Sequence, residues 1–206
     1  LNIELNSNMG IKEKLVKRLV DTLKELKKIK AINSFKLYTS IDTWGPRASY
    51  TRTGLDTGLW ERNLDYYLTN TGWPVTFMIT FNLFAVTSFN KLLEKILEWR
   101  HKYNHNDQTK WQRIRFDTPY LRDPIQFDMN ILPKENFMPY MKKHLQFMHD
   151  YQDDTDRTKF TSLEVEKFRR VVDYMENTNY DTDKLQKGRK TFYNFFTQYD
   201  QRRDIR

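Results

Sequence analysis

The chain has 206 residues, 38% of them hydrophobic and 30% charged, with only 6 Gly and 6 Pro, a make-up that buries a core and excludes a low-complexity or disordered polymer. Its 35 basic and 27 acidic residues give a formal charge of +8, which favours anionic partners. There is no cysteine, which excludes disulfides and thiolate-held metal within these residues.

Leu1-Asn2-Ile3-Glu4 lacks the basic and apolar regions of a signal peptide, and no apolar run approaches the length of a membrane span. A cytoplasmic protein without membrane contact is expected. The chain opens without Met, directly in strand-like sequence, and reads as a fragment. Its 14 Phe, 12 Tyr and 5 Trp read as core and helix-seam packing.

Ile3 to Leu5 reads as the end of a strand. Ile11, Leu15, Val16, Leu19, Val20, Leu23, Leu26 and Ile29 then recur at helical spacing and predict a helix over 11–29. Its Lys12, Lys14, Lys17, Lys24, Lys27 and Lys28 share the stretch with Glu13, Asp21 and Glu25, as on a solvated face. Strands are expected at 35–40 and 75–80, with helices at 59–69, capped near Asp56 or Thr57, and at 88–102. Ile114-Arg115-Phe116 is a fourth strand, and residues 125–129 are read as a fifth.

From residue 134 the pattern is helical. Phe137, Met141, Leu145 and Met148 share a face, with Pro139 placed in the first turn. Thr161 and Glu164 have the spacing of a capping box, and Phe160 and Val165 that of a hydrophobic staple. A last helix follows Thr182, with Phe192, Phe195, Phe196 and Tyr199 inward. Asp153-Asp154-Thr155-Asp156 between them reads as a solvated turn rather than a cation site.

Strands alternating with helices predict a parallel sheet, either open and doubly wound or a barrel, whole or partial. Ligands in such folds bind beyond the carboxyl ends of the strands. The residues there are Asn6, Ser7 and Asn8; Ser40 and Asp42; Thr80 and Asn82; and Asp117 and Thr118. All are small and hydrogen-bonding, suited to a common mouth and equally to turns and helix caps.

Ser40-Ile41-Asp42-Thr43, the Tyr50-Thr51-Arg52-Thr53-Gly54 loop and the helix that follows resemble the fourth strand and loop of radical SAM enzymes. Leu5-Asn6-Ser7-Asn8-Met9-Gly10 is similar to the preceding strand and turn of that family, Val75 to Asn82 to the fifth strand, and Arg113 to Phe116 to the sixth. Pro124 to Pro133 resembles the segment leaving the barrel. The resemblance implies an α/β fold: a partial (β/α) barrel of parallel strands over 1–133, then a helical, twitch-like (half-SPASM) extension over 134–206.

It further implies an enzyme that reductively cleaves S-adenosylmethionine at a 4Fe-4S cluster, yielding a 5′-deoxyadenosyl radical that takes hydrogen from a small-molecule or peptide substrate. Ser40 would bond the cofactor's ribose or amino-acid end, and Arg52 its carboxylate. Asn8, Asp42 and Asn82 would contact the cofactor or line the mouth. The cluster's Cys-x-x-x-Cys-x-x-Cys motif would precede Leu1, so these residues alone are expected to be inactive.

A second reading is a nucleic-acid-binding or protein-interaction module. It rests on Trp99, Arg100, Lys102, Tyr103, Lys110, Trp111, Arg113 and Arg115, a basic stretch interleaved with aromatics. His101 and His105 stand four apart, but no third ligand accompanies them. No phosphate-binding glycine loop or Gly-x-Ser-x-Gly elbow occurs.

Overall fold

The computed structural model describes residues 1–104 and 112–204. Strands β1 (Asn2–Ser7), β2 (Ser34–Ser40), β3 (Val75–Met78) and β4 (Ile114–Asp117) pair in that order, every neighbour parallel. The sheet is open, with β1 and β4 at its edges. Its connections run through α1 (Glu13–Lys28), α2 (Pro46–Thr51), α3 (Thr57–Asn70) and α4 (Phe89–Asn104). Because spatial order equals chain order, right-handed crossovers place the long helices on the same face.

That face carries the core. Phe35, Leu37 and Thr39 of β2 alternate inward, as do Val75 and Phe77 of β3. Trp60 of α3 and Trp99 of α4 lie edge-on to Phe77, with ring centroids 5.4 and 5.5 Å away. Tyr67 covers Phe35, and α1 packs beside α3 through its buried Val16, Val20 and Leu23. The aromatic residues thus serve chiefly as core; truncating one of the buried rings to Ala would cost about 3–5 kcal/mol.

The opposite face, with Tyr38, Ser40, Thr76, Met78, Arg115 and Asp117, stays partly accessible. Most of these side chains floor a groove of about 780 Å³, walled by residues 154–157, Leu163 and Lys167.

Three helices complete the described chain: α5 (Lys134–Asp150), α6 (Ser162–Asn177) and α7 (Thr182–Arg202). The capping box forms at α6, Thr161 Oγ1 accepting from Glu164 N and Glu164 Oε2 from Thr161 N, with Phe160 and Val165 both buried. Glu164 also meets Arg100 of α4, which is fully buried and bonds Ile114 O and Lys159 O as well. This pair ties α6 and the loop before it to the α4–β4 layer.

Three expectations need correction. Residues 125–129 do not form a strand: two 3-10 turns, Ile125–Phe127 and Met129–Ile131, take their place, with the Asp128 side chain capping the second. Their apolar residues pack against α7 instead, approaching it so closely that a Cβ on Gly188 would lie 2.7 Å from Ile131 Cγ2. Pro139 lies inside α5 rather than in its first turn, because that helix starts at Lys134. Phe195 is 37% exposed, at the rim of the α7 face whose buried centre is Phe196. The short α2 was not foreseen.

Candidate functional site

Each strand hands its chain to the same end of the sheet, and the residues there fall into two groups. One group spends its polar atoms on the local turn. Ser7 Oγ accepts from Met9 N at 3.1 Å, and Asn8 Oδ1 accepts from Gly10 N at 3.1 Å. Between them Met9 is buried with φ 53°, in the left-handed region that costs a non-Gly residue energy. Asn63 of α3 holds this turn, its Nδ2 donating to Met9 O and Ile11 O, both at 2.8 Å. On β4, Asp117 Oδ1 accepts from Thr118 N and faces Lys167 Nζ at 3.1 Å.

The other group forms a connected cluster. Arg52 donates Nε and Nη2 to the two carboxylate oxygens of Asp42, at 2.9 and 2.8 Å. Asp42 Oδ1 also accepts from Thr80 N at 3.0 Å. Asn82 closes the turn after β3, its Nδ2 donating to Thr80 O and its Oδ1 accepting from Phe84 N. Burial pushes the Asp42 carboxyl up from its ordinary value, and the guanidinium and the Thr80 amide oppose that rise.

The chain builds this cluster by an arm. Gly45 and Gly54, both with φ 82°, bracket residues 45–54 in backbone conformations that disfavour a side chain. Between them α2 makes one and a half turns, with Pro46 at its start and Arg52 as its C-cap. The arm folds back onto the strand end two residues beyond β2, so Arg52 meets Asp42 from ten positions away.

The structure therefore brings Asp42, Arg52 and Asn82 together through Thr80. Ser40 lies on the groove side of β2, and its hydroxyl has no hydrogen-bond partner among the described residues. Asn8 is engaged in its own turn, and no hydrogen bond joins it to the cluster. Arg52 keeps Nη1 free of hydrogen bonds among the described residues, on a side chain that is 30% exposed. The arrangement leaves one N–H pair of Arg52 available on a guanidinium oriented by a buried carboxylate, a geometry suited to an anion.

Sequence reasoning placed Thr80 at the mouth for its side chain, whereas its backbone amide makes the contact with Asp42, and it missed Asn63. Asn63 carried a readable signal, a polar residue among Trp60, Leu64, Tyr67 and Leu68 on the inner face of its helix.

Among its described residues, the basic stretch behind the second reading is divided between core and surface. Trp99 and Arg100 are buried, and Lys102 and Tyr103 both bond Asp65. Lys110 and Trp111 lie outside the described residues, as does His105. His144 is buried against Val86 O, and His149 meets Arg169. Asp153 and Asp156 accept from Thr155 and Thr158 in their own turns. No group of three His, Cys, Asp or Glu among the described residues is arranged to hold a metal ion. No described helix is long and apolar enough to cross a membrane.

Comparison with protein-family models, curated proteins and solved structures finds no match for this chain.

Proposed function

We propose that these residues are the carboxy-terminal portion of a radical SAM enzyme, 1–133 contributing part of a (β/α) barrel and 134–206 a helical extension. The observation that carries this reading is the sheet: four neighbouring parallel strands in chain order, helices on one face, and the Asp42–Arg52 cluster at their carboxyl ends. A sheet of that kind, curled with its bare face inward, is the arc of a barrel.

The chain has no cysteine, so its residues do not fit an iron–sulfur cluster, and every cluster ligand falls outside this sequence. S-adenosylmethionine fits better. Arg52 Nη1 would pair with the cofactor's carboxylate, while Asp42 holds the guanidinium plane in place. Asp42 is thus a positioning residue rather than a cofactor contact. Ser40 would donate to the cofactor from the groove side. The cofactor, when bound and reduced, supplies the radical; this chain binds and orients it.

The test is anaerobic reconstitution of the polypeptide that includes residues upstream of Leu1. A 4Fe-4S absorption band and, on reduction, 5′-deoxyadenosine are expected. A polypeptide that takes up no cluster overturns the proposal.

A further inference from the structure

The arm that carries Arg52 is held from the far end of the chain. A helix end leaves its last carbonyls without intrahelical donors. At the end of α2, Tyr50 O accepts instead from the Tyr199 hydroxyl at 2.7 Å and from Arg203 Nη1 at 2.9 Å. The Tyr199 oxygen also accepts from Arg203 Nη1 at 2.8 Å, and Thr53 Oγ1 lies 2.7 Å from it. Since the Tyr199 proton is committed to Tyr50 O, Thr53 is the donor. The Tyr50 hydroxyl donates in turn to Asp200 at 2.7 Å. Three side chains at the end of α7 therefore clasp the residues on both sides of Arg52.

An aromatic contact runs beneath these bonds. The Tyr50 ring stacks on Phe196 at 5.9 Å, and Phe196 lies edge-on to Phe84 at 4.9 Å. Phe84 belongs to the turn that Asn82 closes. One helix thus contacts both loops of the cluster.

We propose that the end of α7 is a strap that presets Arg52 for its anion, with Tyr199 and Arg203 as positioning residues of the S-adenosylmethionine site. The proposal rests on the reading of that site given above. Its physical basis is entropic. An arm bracketed by two left-handed glycines and lying at the surface would sample many conformations, and ordering it during binding would weaken affinity. A strap that orders it beforehand removes that cost from binding and leaves the chemical step untouched.

Tyr199→Phe keeps the ring and deletes the hydroxyl at the centre of the clasp. Two measurements test it. Hydrogen exchange on this chain should show the amides of residues 50–55 exchanging about tenfold faster, with β2 and β3 unchanged. In the cluster-reconstituted polypeptide, KM for S-adenosylmethionine should rise about tenfold at constant kcat. Arg203→Ala should act in the same direction, and Arg203→Lys should recover part of the loss.

Unchanged exchange in Tyr199→Phe overturns the strap. Faster exchange with an unchanged KM also overturns it, because the contact would then be structural only. Failure of the underlying site reading has a separate signature: Arg52→Ala would leave S-adenosylmethionine binding intact, whatever the exchange result.

Discussion

Arg52 and Asp42 form a two-pronged ion pair in which the carboxylate is almost buried and the guanidinium is partly open to solvent. The asymmetry matters. Asp42 needs Arg52 to remain charged in a desolvated place, whereas Arg52 retains donors for something else.

Removing the cation should therefore leave a buried carboxylate with only the Thr80 amide for company. Arg52→Ala is expected to destabilise the chain by about 2–3 kcal/mol at pH 7. Without the guanidinium, burial raises the Asp42 carboxyl further, so the folded state favours its protonated form more than the unfolded state does. The penalty is then fully present above that raised value and shrinks as pH falls through it. Urea unfolding of both proteins between pH 7 and pH 4 should show the gap narrowing; a constant gap would mean that the charge is not the cause. Arg52→Lys should recover only part, because an ammonium cannot reach both oxygens as a planar fork does.

The Arg100–Glu164 pair makes a contrasting case, since both partners are buried. Arg100→Met strips donors from Ile114 O and Lys159 O and strands a carboxylate, at a cost of about 3–5 kcal/mol. Adding Glu164→Gln should restore part of that loss. Gln can still accept from Thr161 N in the capping box, and no unpaired charge remains. Denaturant unfolding of the single and double variants gives the coupling energy, and simple additivity would refute the account.

His144 carries a pH dependence of the opposite sense. Its Nε2–H is committed to Val86 O at 2.8 Å, and Nδ1 is buried without a partner among the described residues. Protonation would place a second N–H where nothing accepts it, and burial accordingly lowers the imidazole below its ordinary 6.5. With the folded value depressed, the unfolded chain binds the proton first. Stability is therefore kept above about 6.5 and lost as pH falls below it, by up to about 1 kcal/mol between pH 7 and 5.5. His144→Gln preserves a donor for Val86 O and should flatten that part of the stability–pH curve.

The four strands and the long helices were legible because each spans enough residues for its period to show. Residues 75–80 shortened to Val75–Met78, and beyond the strand Thr80 N bonds the Asp42 side chain. α2 was invisible because six residues cannot display a helical period, and its apolar members, Ala48 and Tyr50, face different partners. The segment 125–129 read as a strand because its apolar residues alternate, yet Asp128 caps a turn inside it. Within the site, the strand-end positions of Ser40, Asp42 and Asn82 followed from the alternation of elements. The Asp42–Arg52 pairing depended on how the arm folds back, which local composition does not encode. Tyr199 looked like core; its hydroxyl's destination lay 149 residues upstream.

That separation bears on the order in which the molecule is completed. The β1–β2 and β2–β3 pairings close over a few tens of residues and can form while the chain is still being made. The bond from Tyr50 to Asp200 closes over 150 residues. At ribosomal rates of about 5–20 residues per second, the arm waits about 8–30 s for the helix that fastens it. The sheet pairings can close before the Arg52 arm gains its contacts with Tyr199, Asp200 and Arg203.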